Sequence, residues 1–358
     1  MTTETPLLLT PIAGSLPPDV YAESRHFTAT VTRLNRFSPF PSVYVKDPDP
    51  SGDGLGPCNV LPITAARSAG FSGVLPPVMR VQSLTRLRQG DTILNGATLY
   101  HRQATRDVEW ITNRIDPRLY RNALVSIRSV AGTQDAEEGT LRIERLVPVT
   151  SPVCGNLFDT VPPGWVGDPD LVARAAGLWH TLPSTLGYLV NAVLGEGGRL
   201  VRFVTSPSSI DGAYAERGGI FRHSIEVAER ARDLGRGFAR ADVSLLVAGG
   251  LLHDAAKAFD YRYDRRGQRF CSSRCAERAA PHATLIDWLT IARETSGVVI
   301  DDATWQGLLQ VFAGTDGTPP WFRSRQALSV EAELLSIADC ACVHEELQRR
   351  DAEVEGGP

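Results

Sequence analysis

Residues 218–257 read GGIFRHSIEVAERARDLGRGFARADVSLLVAGGLLHDAAK, from Gly218 to Lys257. Within them the run from Val243 to Leu252, VSLLVAGGLL, carries no charge. In a water-soluble chain such a run is either a helix buried on all sides or a buried strand. Asp242 stands directly before it as a suitable N-cap, and the length favours a helix. His253, Asp254 and Lys257 follow at once. Side chains three or four residues apart share a helix face, which brings Lys257 over His253 and Asp254. Burying three such groups beside an apolar core is costly unless they satisfy one another or hold a metal ion.

Two further helices supply partners. After the Gly218-Gly219 break, Ile220, Ile225, Ala228 and Ala231 recur with helical spacing, while Glu226, Glu229, Arg230 and Arg232 take the outer face. His223 lies in the first turn. Far downstream, Ser329 to Leu347 (SVEAELLSIADCACVHEEL) reads as a helix in which Leu334, Leu335, Ile337, Ala338 and Ala341 surround a single carboxylate, Asp339. The candidate ligands for one divalent ion are therefore His223, His253, Asp254 and Asp339. Mixed nitrogen and oxygen ligation suits Mn²⁺, Fe²⁺, Ni²⁺ or Zn²⁺ better than Ca²⁺. Such an ion lowers the pKa of bound water towards ~7 and acts as a Lewis acid. Asp254 is also a candidate catalytic group that orients the attacking water, and Lys257 one that steadies an anionic oxygen of a substrate. Taken singly, each has a structural reading; His253-Asp254 alone would pass for a pair at a helix C-terminus. Arg222, Asp211 and Glu331 read equally well as supporting groups or as ion-paired helix faces.

The order His, then His-Asp, then a distant Asp within helical sequence resembles the HD superfamily of metal-dependent phosphohydrolases. The longer phrase is similar to the YhaM family of 3′-to-5′ exoribonucleases. The likeness rests on Gly218-Gly219-Ile220-Phe221 before His223, His253-Asp254 before Lys257, and Glu331-Ala332 before Asp339, and covers roughly residues 140–347. The TraI-like HD relaxase domains of conjugative elements have a similar glycine-His phrase. The resemblance implies Mn²⁺ as the ion and an N-terminal OB-like domain. His282 matches a further family His and joins the candidate ligands. Asp211-Gly212 stand where the family carries a His pair, and Gly314-Thr315-Asp316-Gly317 where it carries His-His-Gly, so the residues support one ion rather than two.

A chain of 358 residues suggests about two domains, and its 42% hydrophobic content is ample for their cores. The formal charge of −4 is unevenly spread: residues 1–150 hold 16 Lys or Arg against 14 Asp or Glu, and residues 151–358 hold 21 against 27. Lys46 and Lys257 are the only lysines. No stretch of 18 apolar residues and no basic-then-apolar leader is present, which reads as a cytoplasmic protein without a membrane partner. The six cysteines have no zinc-ribbon spacing and read as reduced; a Cys271, Cys275, His282 zinc site is the sharper alternative. His26, His101, His180 and His344 read as ordinary core histidines.

The expected architecture is α+β and multidomain: a small N-terminal β-barrel, OB-like, in residues 1–150, then a linker and leading helices in 151–200. An all-α HD-type domain follows in 201–350, with an acidic tail in 351–358. Strands are predicted at His26 to Leu34, Ser42 to Lys46, Val78 to Leu84, Thr92 to His101, Ala123 to Val130 and Thr140 to Val147. The segment 151–170 is rich in Pro and Gly and reads as a linker, with Asp170 capping a helical region from Leu171 to Leu194. A helix is expected from Ala303 to Phe312. A barrel of this class binds single-stranded nucleic acid through cations and stacking aromatics. Arg86, Arg88, Arg102, Arg106, Tyr100 and Trp110 are the candidates, set against a plain reading as solvated face and core. The leading functional expectation is a 3′-to-5′ exonuclease on single-stranded RNA or DNA. The alternatives are an HD phosphohydrolase of nucleotides and a nucleic-acid-binding accessory protein with a decayed site.

Overall fold

The computed structural model describes residues 8–9, 75–128, 140–149, 155–196, 198–264, 269–273, 281–313 and 329–355. The chain divides into two compact units, and among the described residues the division falls between Gly164 and Trp165.

The first unit is a sheet. Its strands are β1 (Leu8–Leu9), β2 (Met79–Gln89), β3 (Thr92–His101), β4 (Ala104–Thr112), β5 (Leu124–Arg128), β6 (Leu141–Arg142) and β7 (Arg145–Pro148). The order is β6-β4-β3-β2-β5-β7, with β1 paired to β2. β6 and β7 stand at opposite ends of that order yet are separated by two residues. Ile143 N bonds Glu109 O at 3.0 Å on one edge, and Glu144 N bonds Arg128 O at 2.9 Å on the other. The sheet therefore curls until its edges meet. The core lies on one face: Met79, Val81, Leu99, Val108, Trp110, Val125, Ile127 and Leu146 are buried together. β2 and β3 turn at Gly90, whose φ of 59° a side chain would strain.

Strand β4 was not anticipated from the sequence. The expected strand over 140–147 is instead two short strands, β6 and β7, on opposite edges. The predicted strands at 26–34 and 42–46 lie outside the described residues. Within the stretch read as a linker, Leu157–Thr160 form a 3-10 turn whose Leu157 and Phe158 are buried. Arg80 fastens that turn to the sheet: it donates to Thr160 O and Thr160 Oγ1, and also to Asn122 O, each at 2.8 Å. Arg102 Nε adds a 2.6 Å bond to Asp159.

The second unit is helical: α1 (Pro169–His180), α2 (Ser184–Gly195), α3 (Arg199–Thr205), α4 (Gly219–Gly235), α5 (Val243–Leu252), α6 (Pro281–Thr295), α7 (Asp302–Ala313) and α8 (Val330–Glu355). The expected helical region 171–194 is two helices, broken before Pro183, and Asp168 rather than Asp170 caps the first by accepting from Asp170 N. The expectation of an all-α domain is corrected by a hairpin, β8 (Tyr261–Asp264) and β9 (Arg269–Ser272). In β8, Tyr261-Arg262-Tyr263-Asp264, aromatic and charged residues alternate with period two, which fits a strand and not a helix. α8 continues through residues 351–355, read above as a tail. No described helix is long and apolar enough to cross a membrane.

Candidate metal centre

Two helices approach closely and bring the first two imidazoles together. α5 starts as the sequence suggests: the Asp242 side chain accepts from Ser244 N at 2.8 Å and Leu245 N at 3.3 Å. Its Gly250 packs on α4, where a Cβ would stand 2.5 Å from Ala228 Cα. Only glycine allows that approach. α4 buries Ile220, Phe221, Ile225, Val227, Ala228 and Ala231, and its first turn presents His223. α5 ends at Leu252, directly before His253 and Asp254.

At the junction, His223 Nε2 and His253 Nε2 are 3.2 Å apart. Asp254 Oδ2 lies 3.7 Å from His223 Nε2, and its Oδ1 3.7 Å from His253 Nε2. Asp339, on α8, places Oδ1 at 3.0 Å from His223 Nε2 and 3.9 Å from His253 Nε2. Potential ligand atoms of His223, His253 and Asp254 all lie within 4.8 Å of one another. The structure thus gathers four of the sequence candidates, Asp339 Oδ1 lying within 3.9 Å of both imidazole nitrogens. His282 lies in the first turn of α6, and its side chain is outside the described residues.

The residues fit a divalent cation. His253 Nδ1 is 2.9 Å from the carbonyl of Gly250, an acceptor, so a neutral ring carries its proton there and turns a lone pair on Nε2 into the site. Two nitrogens about 2.1 Å from a common ion stand roughly 3.0–3.4 Å apart, the spacing of the two Nε2 atoms. His223, His253 and Asp254 are almost wholly buried, whereas the side chains of Asp339 and Lys257 are 26% and 35% exposed. The approach is therefore from the Asp339 and Lys257 side.

Lys257 reaches the site by a route other than an α-helical face. Ala255–Phe259 form a 3-10 turn, in which residues three apart eclipse. Lys257 Nζ accordingly donates to Asp254 Oδ2 at 2.9 Å. Burial alone would push the Asp254 carboxyl up, but the surrounding His253, Lys257 and His223 outweigh it and hold it well below the usual range. Burial likewise opposes ionisation of Asp339, and the His223 hydrogen bond and both imidazoles outweigh it. Burial would lower the Lys257 ammonium, and the Asp254 pairing more than reverses that. Asp260 behaves differently: burial pushes its carboxyl up to about 6, against the pull of Lys257.

The HD domain family matches residues 220–340. That span holds His223, His253, Asp254 and Asp339, and the match supports the HD superfamily for this segment and no narrower family. An HD domain implies a divalent metal and suggests metal-dependent phosphohydrolase chemistry. No curated protein and no solved structure matches the chain.

The remaining candidates have other tasks. Arg222 Nη1 and Nη2 donate to Glu346 at 3.1 and 2.8 Å, and its Nε to Glu216 at 2.7 Å. Glu331 accepts from Asp242 N at 2.9 Å, at the start of α5. The carbonyl of Asp211 faces Arg350. Cys271 is a free thiol, and Cys275 lies outside the described residues. His101 is buried, whereas His180 and His344 are exposed rather than core.

In the sheet, Trp110 is 3% exposed and belongs to the core. Arg86 Nη2 donates to Leu119 O at 2.7 Å and Asp116 O at 3.2 Å, and burial lowers its pKa. Arg102 is paired to Asp159, Tyr100 and Arg106 are half-buried, and Arg88 is exposed. Reading residue types alone could not separate these cases, because an Arg that binds carbonyls and one that binds phosphate look alike in sequence.

Proposed function

We propose that the chain is a metal-dependent phosphodiesterase that shortens single-stranded RNA or DNA from the 3′ end. The observation that carries this reading is the Asp254–Lys257 pair beside two imidazoles, with buried Asp254 inside the site and half-exposed Lys257 at its edge. His223, His253, Asp254 and Asp339 would hold one divalent cation, Mn²⁺ by preference. Bound there, the cation supplies Lewis-acid polarisation of a phosphoryl oxygen and acidification of water. Asp254 keeps its carboxylate ionised and so can accept from water while oriented by Lys257. Lys257 presents its remaining ammonium hydrogens to a phosphate oxygen as a point charge.

The hairpin β8–β9 supports nucleic acid as the substrate. Ser273 N bonds Asp260 O, and Ser273 Oγ bonds Phe259 O, each at 2.7 Å, which ties the hairpin base to the turn bearing Lys257. Tyr261, Tyr263 and Phe270 share one face by register, and Arg262 and Arg269 are exposed on the other. Aromatic faces stack bases and arginines attract phosphates.

The test is hydrolysis of 3′- and 5′-labelled single-stranded RNA and DNA by metal-stripped protein with Mn²⁺, Fe²⁺, Ni²⁺ or Zn²⁺ restored, beside Asp254→Ala. Shortening from the 3′ end that this substitution abolishes is expected. Tight strand binding without cleavage under any of these ions would overturn the reading and leave a binding protein. A second reading, a nucleotide phosphohydrolase, is favoured by the internal engagement of Arg86, Arg102 and Trp110. It predicts turnover of mononucleotides that oligonucleotides do not inhibit.

A further inference from the structure

The two imidazoles are held in different ways. His253 has the Gly250 carbonyl behind it. His223 Nδ1 is buried with no hydrogen-bond partner among the described residues. Metal-binding histidines generally owe their orientation to a hydrogen bond from the far nitrogen. His223 has an aromatic ring instead: the centroid of Tyr214 is 4.7 Å from its own, with the planes tilted by 48°.

Tyr214 is placed with unusual care. It is 1% exposed and has φ of 55°, a left-handed conformation that a tyrosine rarely adopts. Its hydroxyl donates to Glu226 Oε2 at 2.5 Å, with the carbonyl of Cys342 at 3.2 Å as a second acceptor. Glu226 is on α4 and Cys342 on α8, so the phenol bridges the helix of His223 and the helix of Asp339. The Arg222 guanidinium lies 4.6 Å from the same ring centroid. The Gly218-Gly219 pair acquires a reason here: a Cβ on Gly219 would stand 2.0 Å from Tyr214 O. The backbone of residue 214 is pressed against the start of α4, and a side chain at 219 would push it away.

From this geometry we infer that Tyr214 is the positioning residue of His223, its ring contact taking the place of the missing far-side hydrogen bond. The phenol limits rotation of the imidazole about χ2 and keeps Nε2 directed at His253, Asp254 and Asp339. The hydroxyl anchors the ring to both helices, so the ring, rather than the oxygen, acts on His223. The inference rests on the reading of His223 as a metal ligand.

The experiment is Mn²⁺ affinity, by titration against a fluorescent chelator, for the full chain and for Tyr214→Phe and Tyr214→Leu, with folding checked by circular dichroism. Loss of a supporting group typically weakens metal binding by about 10–100-fold. Tyr214→Leu is expected in that range, and Tyr214→Phe within about threefold of the parent, because it keeps the ring. A folded Leu variant that binds as tightly as the parent overturns the inference, as does a Phe variant that loses as much as Leu. Because a left-handed, buried position can reject Leu, proton NMR of the parent protein gives a second reading. The ring protons of His223 should be displaced by the Tyr214 ring current, in a single set of sharp signals. Undisplaced or rotamer-averaged signals overturn it. A parent that binds no divalent ion sinks the metal reading itself, and the NMR spectrum still decides whether Tyr214 fixes the ring.

Discussion

Buried polar groups occur in both units, and they are settled in opposite ways. In the sheet, Arg80 is 4% exposed and its donors meet Thr160 O, Thr160 Oγ1 and Asn122 O. Each acceptor is matched to a donor, and the result is a fastener. In the helical unit, His223, His253 and Asp254 turn nitrogen and oxygen acceptors towards a common point, with the two Nε2 atoms 3.2 Å apart. Without a cation, one imidazole proton must serve several acceptors. Burial alone does not mark a functional site; burial of acceptors against one another does.

The largest expected effect tests the helical side of this contrast. Asp254→Ala removes the buried carboxylate that stands 3.7 Å from both imidazole nitrogens and strands Lys257. Metal affinity should fall by more than about a hundredfold, since loss of a mere supporting group costs about 10–100-fold. Metal content after dialysis, measured by plasma mass spectrometry, checks this. A variant that retains a full equivalent of metal would break the contrast. Next comes the sheet: Trp110→Ala should destabilise its unit by about 3–5 kcal/mol in urea titration, as for other buried tryptophans, with metal affinity unchanged. Weakened strand binding with little loss of stability would instead make Trp110 a stacking surface. Smaller still is the effect of metal on the parent. Mn²⁺ at about a hundred times its dissociation constant should stabilise the helical unit by about 2.7 kcal/mol and leave the sheet's transition in place. Thermal melts with and without chelator separate the two, and a shift in the sheet's transition would mean that the ion sits elsewhere.

The sequence revealed the site more readily than its support. A charge-free run after Asp242 and before His253 has few other readings, and the N-cap, the helix and the gathering of His223, His253, Asp254 and Asp339 follow from it. Strand β4 escaped notice because Arg106, Asp107 and Glu109 interrupt its alternation, while its Trp110 drew a surface interpretation. The hairpin after Lys257 escaped because four-residue strands give too little period to count. Tyr214 had no local signal at all. Its role is set by a backbone angle and by partners on two other helices, one of them 128 residues away. Gly218-Gly219 hinted at a close approach without saying what approached.

The smallest expected effect concerns the carboxylates around the site, whose shifts have opposite signs. Asp254 and Asp339 are held below the usual range, so they contribute stability above about pH 4 that is lost as the pH falls through their folded values. Asp260 is raised, chiefly by burial, to about 6. Its contribution is fully present below an unfolded value near 3.9 and is lost as the pH rises through about 6. A shift of this size corresponds to about 3 kcal/mol for a fully buried group, and solvent screening at this half-buried position reduces it to about 1. Asp260→Asn should therefore match the parent at pH about 4 and exceed its stability by about 1 kcal/mol near pH 7.5. Urea titrations at the two pH values check this. If the variant is the less stable one near neutrality, the ionised Asp260 gains more from Lys257 than burial costs it. Lys257 would then be shared between two carboxylates rather than committed to Asp254.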